Sequence, residues 1–185
     1  LFMFFVTDYL GLSQAMGGTL LAIYFTSALI GIWFWQKKIT RYNTINLYRL
    51  SLCMTIIMFV PGFWINDANP ELFTLVCLGT GLFVGAELLL TSMLLIKKIK
   101  FINKEKSSAM IMGSRGLLMK LGLAMAAGLA LPLLSFWGYQ PGVTPKHESL
   151  AIIYLLSPII LKSISLILLH IHNRQNGHIY ATNNI

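Results

Sequence analysis

Residues 71–96 read ELFTLVCLGTGLFVGAELLLTSMLLI, and Lys97-Lys98-Ile99-Lys100 follows at once. The run is longer than the roughly 20 residues that an α-helix needs to cross about 30 Å of hydrocarbon, and a block of cations ends it at one membrane face. Gly81 and Gly85, four apart, allow a neighbouring helix backbone to come close where apolar area cannot drive association, and Gly18/Ala22, Ser27/Gly31 and Gly122/Ala126/Ala130 repeat that spacing. Glu87 is an acid in the interior of the run, where a charge costs at least about 2.5–3.5 kcal/mol on insertion scales and so requires a partner or a task.

Outward from this stretch, further apolar runs predict helices over 16–36, 44–64, 108–136 and 149–170. Residues 1–6 are too short to span and have no basic flank, so they read as the tail of a severed helix and not as a signal peptide. The expected organisation is a transmembrane bundle over 1–170 and a polar tail over 171–185. Composition agrees: of 185 residues 56% are hydrophobic and 11% charged, with a mean hydropathy of +0.72. A soluble domain carries about 25% charged residues, so lipid is the expected solvent.

The formal net charge of +8 does not suggest nucleic acid, because the cations fall in short loops between spans and not on a face with aromatic platforms. Lys37, Lys38, Arg41 and Arg49, then Lys97, Lys98, Lys100, Lys104 and Lys106, then Arg174 occupy one set of alternate segments. Asp8, Asp67, Glu71, Lys146 and Glu148 occupy the other. This bias predicts a multi-pass inner-membrane protein with its C-terminus in the cytoplasm. Trp33, Trp35, Phe63, Trp64, Phe136, Trp137 and Tyr139 lie where interfacial anchors are expected. Cys53 and Cys77 sit inside apolar runs and read as packing residues, supporting neither disulfide nor metal. His170, His172 and His178 have no Cys or carboxylate near them in sequence, so no metal site is expected.

Four ionisable residues within spans are the candidate substrate- or cation-binding groups: Glu87, Arg115, Lys120 and Lys162. Counted from the flanking basic loops at 1.5 Å per residue, Glu87 and Lys120 both lie on the order of 15–20 Å deep. They are therefore expected to pair, and a proton, cation or polar solute would open the pair. Arg115 is close enough to the basic end to snorkel. Lys162 follows Pro158, which leaves a carbonyl unsatisfied, so the amine either lines a cavity or answers that carbonyl. Asp8 reads as a solvated loop acid. No Ser/His/Asp, Cys/His or paired-carboxylate set shares a depth, so no enzyme is expected.

Gly11-Leu12-Ser13 before a long helix, Tyr24-Phe25 within it, Gly31-Ile32 and Trp35 at its end, then Met119-Lys120-Leu121 and Gly138-Tyr139-Gln140-Pro141-Gly142 occur in order. In this the chain resembles the glycoside-pentoside-hexuronide:cation symporters, the melibiose-permease-like branch of the major facilitator superfamily, over essentially its whole length. The resemblance implies an all-α membrane fold, the C-terminal six-helix half from the end of helix 7 to helix 12. It also implies cation symport of a small polar solute, a sugar first, coupled to Na+ or H+ with no other cofactor. Lys120 matches the helix 11 lysine that, in the family, belongs to the sugar- and cation-binding region. The implied partners are the lipid bilayer, a six-helix first half not contained in this chain, and the solute. The chain departs from the family at Thr91–Lys97, where an acidic stretch is usual, and at Thr40, where an acid is commoner. Competing expectations are a non-transporting remnant or membrane interaction subunit, a lysolipid-type transporter, and an intramembrane enzyme acting on lipids.

Overall fold

The computed structural model describes residues 1–65, 69–101, 107–139 and 148–175. Asp67, Lys104, Lys106, Lys146, His178 and the Gln140-Pro141-Gly142 stretch lie outside them. A short helical turn α1 (Phe2–Phe4) runs into a π-helical turn (Phe5–Tyr9). Then come α2 (Gln14–Ile39), α3 (Thr44–Phe59) with a 3-10 continuation (Val60–Trp64), α4 (Pro70–Phe101), α5 (Ser108–Phe136) and α6 (Glu148–Gln175). Among the described residues five helices are long and apolar enough to cross a membrane.

The boundaries follow from local chemistry. Gly11 turns the chain with φ 65°, and the Ser13 side chain then accepts from the Met16 amide, starting α2 two residues before the expected position. Asn43 caps α3 in the same way through the Ile45 amide. Pro61 has no amide to donate, and there the chain tightens into the 3-10 turn. Glu71 stands in the first turn of α4 and Lys98 and Lys100 in its last, each favourable to the helix dipole. α6 continues to Gln175, so residues 171–175 are helical where a tail is expected from sequence; nothing in Ile171–Gln175 breaks a helix.

α4 is the hub, packed along α2 and α3; α6 lies against α3, and α5 touches the rest only slightly. The α2–α4 seam is a backbone contact. A Cβ at Gly31 would overlap the Leu82 carbonyl, one at Gly81 the Tyr24 carbonyl and one at Gly85 the Ala28 carbonyl, while Ser27 Oγ donates to Leu78 O at 2.5 Å. The small residues Gly18 and Gly122 have open space around them instead.

Phe5 and Val6 are fully buried, so the opening segment forms part of the core. Phe5 stacks on Tyr154 at 4.5 Å and Tyr9 at 5.0 Å, with Phe73 at 5.1 Å. A second cluster (Trp35, Leu47, Ala86, Leu90) fills the basic end, and a third (Leu134, Tyr139, Leu150, Ile153) joins α5 to α6 at the opposite end.

Trp33, Trp64, Phe136 and Trp137 are exposed at helix ends, as anchors would be, but Trp35 and Tyr139 are buried and act as packing residues. Cys53 is exposed, and only Cys77 packs inside the protein. Asp8 is no free loop acid: it accepts the Tyr139 hydroxyl at 2.5 Å and the Thr7 hydroxyl at 2.7 Å, tying the opening segment to the end of α5.

Candidate functional site

Glu87 stands seventeen residues after Pro70 and fourteen before Phe101, near the middle of α4. Lys162 is as central on α6, fourteen residues after Glu148 and thirteen before Gln175. The Lys162 ammonium spans both carboxylate oxygens, at 2.6 Å from Oε1 and 2.5 Å from Oε2. The side chains are 16% and 17% exposed, so little water screens the pair.

The expected Glu87–Lys120 pair is not formed. Sequence depth admits any lysine at mid-span; adjacency decides between them. α6 packs on α3 next to the Glu87 face of α4, whereas α5 is largely unpartnered and Lys120 is exposed on it. Nor does Lys162 serve the carbonyl freed by Pro158, since its ammonium is on Glu87.

α3 contributes a hydroxyl. Thr55, fully buried, donates to Glu87 Oε1 at 2.9 Å and is also within 2.8 Å of the Ser51 carbonyl, one turn back. Thr44, Ser51 and Thr55 recur at helical spacing, which puts a strip of buried hydroxyls on the side of α3 facing α4.

One turn beyond Glu87, Thr91 Oγ1 donates to the Glu87 main-chain carbonyl at 2.7 Å and accepts from Arg115 Nη2 at 2.9 Å. Arg115, half-buried on α5, is therefore held by α4 instead of snorkelling freely to the basic end. Nearer that end, Lys97 Nζ donates to Thr44 Oγ1 at 2.8 Å and locks α4 to the start of α3.

Three of the four candidate residues thus gather on one face of α4: Glu87 itself, Lys162 directly and Arg115 through Thr91. Lys120 does not join them. Thr55 and Thr91 were not singled out from sequence as site residues, although the signal was there in a hydroxyl one helical turn from the intramembrane acid and a strip of hydroxyls on the preceding span.

Chemically, a carboxylate and an ammonium at contact distance, with a threonine hydroxyl on the same oxygen, form a polar centre that opens whenever another cation or donor competes for the carboxylate. A proton on Glu87 would neutralise it and free Lys162. A small cation could take over the same oxygens together with the Thr55 hydroxyl, and a polyol could use both partners. Glu87, Lys162 and Thr55 come from α4, α6 and α3, and Arg115 reaches α4 from α5, so any shift of α6 or α5 against α4 changes the centre.

No curated protein and no solved structure matches the chain. The family described as MFS/sugar transport protein matches residues 1–173. Five membrane-capable helices around an intramembrane ion pair, together with that match over nearly the whole chain, make this all-α chain a member of the MFS/sugar transport protein family, within the major facilitator superfamily.

Proposed function

We propose that the chain is the helix 7 to helix 12 half of a melibiose-permease-like symporter that moves a small polar solute, a sugar first, coupled to Na+ or H+. The single observation that carries this reading is the Glu87–Lys162 ion pair at mid-span, with Thr55 on the same carboxylate. A membrane protein that needed only to be held together would do so with apolar side chains at lower cost, whereas a pair that opens and closes suits a transport cycle. Glu87, Lys162 and Arg115 are the proposed solute- and cation-binding groups. Lys120, exposed on the face of α5 that the chain leaves uncovered, is the group proposed to meet the first half across the central cavity.

The reading includes an inner-membrane location with the basic end and the C-terminus in the cytoplasm. Support comes from Lys37, Lys38, Arg41, Lys97, Lys98 and Lys100 gathering where α2 and α4 end and α3 begins. The test is uptake by the product of the full reading frame in vesicles carrying an imposed Na+ or H+ gradient. Labelled sugar should accumulate only with the gradient, and Glu87→Gln and Lys162→Gln should each cut initial uptake at least about tenfold, on the scale of a lost charged contact. Gradient-independent uptake, or full uptake by both variants, would end the proposal.

A further inference from the structure

The polar centre does not account for a groove of about 740 Å³ at the basic end of α2, lined by Trp33, Lys37, Lys38, Thr40, Arg41 and Tyr42 among others. Three cations share it, and two are parked on aromatic rings. Lys37 Nζ lies 3.5 Å from the Trp33 ring centre, and Lys38 Nζ lies 4.7 Å from that of Phe34 and 5.6 Å from that of Trp35. Trp33 and Tyr42 are each 61% exposed, so the groove has an open aromatic rim.

What reaches such a groove is decided by what adjoins it. Phe25, Leu29, Trp33 and Lys37 are four residues apart on α2 and so form one row. Its three apolar members are 58%, 68% and 61% exposed. Phe25 to Trp33 covers about 12 Å along the helix. An apolar strip therefore leads from the hydrocarbon region to the cations without interruption. A soluble anion would use only the cations; a molecule with acyl chains and a phosphate would use the whole row.

We infer that this groove is a binding site for an anionic phospholipid, its phosphate held by Lys37, Lys38 and Arg41, and its acyl chain laid along Phe25, Leu29 and Trp33. The site is separate from Glu87 and Lys162 and does not depend on what the protein transports. The cation–π contacts keep the two lysines at headgroup depth, so little side-chain order is lost on binding. Thr40 allows a phosphate to approach where an acid would repel it. The lipid would join the last turns of α2 to the turn that follows it, through Arg41.

The test is native mass spectrometry of the full chain released from phosphatidylcholine bilayers doped with phosphatidylglycerol, with affinity taken from a titration. Phosphatidylglycerol should be retained over phosphatidylcholine. Each of Lys37→Gln, Lys38→Gln and Arg41→Gln should weaken it about fivefold, and the triple variant on the order of 100-fold. Lys98→Gln/Lys100→Gln removes cations elsewhere at the same end and should change it less than about twofold. Trp33→Ala should weaken the lipid while leaving the cations in place. Equal loss in the Lys98/Lys100 control would overturn the site in favour of a general surface charge. Displacement by millimolar inorganic phosphate would overturn it in favour of a simple anion. If the triple variant does not fold, the single variants decide, and unchanged retention in all three overturns the proposal.

Discussion

A carboxylate and an ammonium in contact at the centre of two apolar helices each remove the other's reason to seek water. Losing one partner therefore costs more than the pair gains. Glu87→Gln leaves the Lys162 ammonium with one neutral acceptor and is expected to lower stability by about 3 kcal/mol, the low end for a buried pair because both side chains keep some exposure. Adding Lys162→Met should recover most of that loss in a thermal melt in detergent. A double variant no more stable than the single would show that the two groups do not act as a pair. Tyr139, outside the spans, predicts a pH effect. Burial, then the hydrogen bond and the charge of Asp8, raise its phenol above the ordinary 10.0. The folded protein thus keeps a proton that the unfolded chain gives up. The stability from this clasp is fully present below about pH 10 and lost as pH rises through the higher folded value. The melting difference between the protein and Tyr139→Phe should be constant up to about pH 10 and shrink above it; a difference that is flat to higher pH would exclude the clasp as its source.

At the scale of the helix, α4 is set by its glycines. Gly85→Ala drives a methyl into the Ala28 carbonyl, and a backbone cannot give way as a side chain can, so a loss of about 1–3 kcal/mol is expected. Gly18→Ala meets open space on α2 and should be neutral or stabilising by up to about 1 kcal/mol. The two melts together check the seam, and similar losses would refute it. These residues also show what the sequence could and could not supply. Ser27/Gly31 and Gly81/Gly85 read as approach surfaces, and they meet each other. Gly18 and Gly122 begin runs of the same spacing and have open space around them, because spacing marks a face able to take a neighbour without saying that one is present. The same gap misdirected Glu87: depth along a helix follows from residue counting, but which helix stands beside which is tertiary information, and Lys162 won over Lys120 on adjacency alone.

For the molecule as a whole, the five long helices, their order and the gathering of lysines at one end were legible, since the thickness of hydrocarbon and the cost of buried charge act on the chain before any packing does. The threonines of the site were not, because a buried hydroxyl satisfied by its own helix is ordinary until a second helix brings a carboxylate to it. The proposed orientation has a direct check in a background free of Cys53 and Cys77. Tyr42→Cys should react with an impermeant maleimide only in inverted vesicles, and Trp137→Cys in intact cells; the opposite pattern would reverse the topology.

The ion pair also joins residues made at different times. Lys162 is 75 residues downstream of Glu87, and at about 5–20 residues per second of synthesis it follows about 4–15 s later. For those seconds α4 enters the membrane with an acid whose counter-charge does not yet exist, so Glu87 relies on the insertion machinery for shelter. Premature stops between α4 and α6 would leave that acid permanently alone, and such truncated chains are expected to be the preferred prey of membrane quality-control proteases.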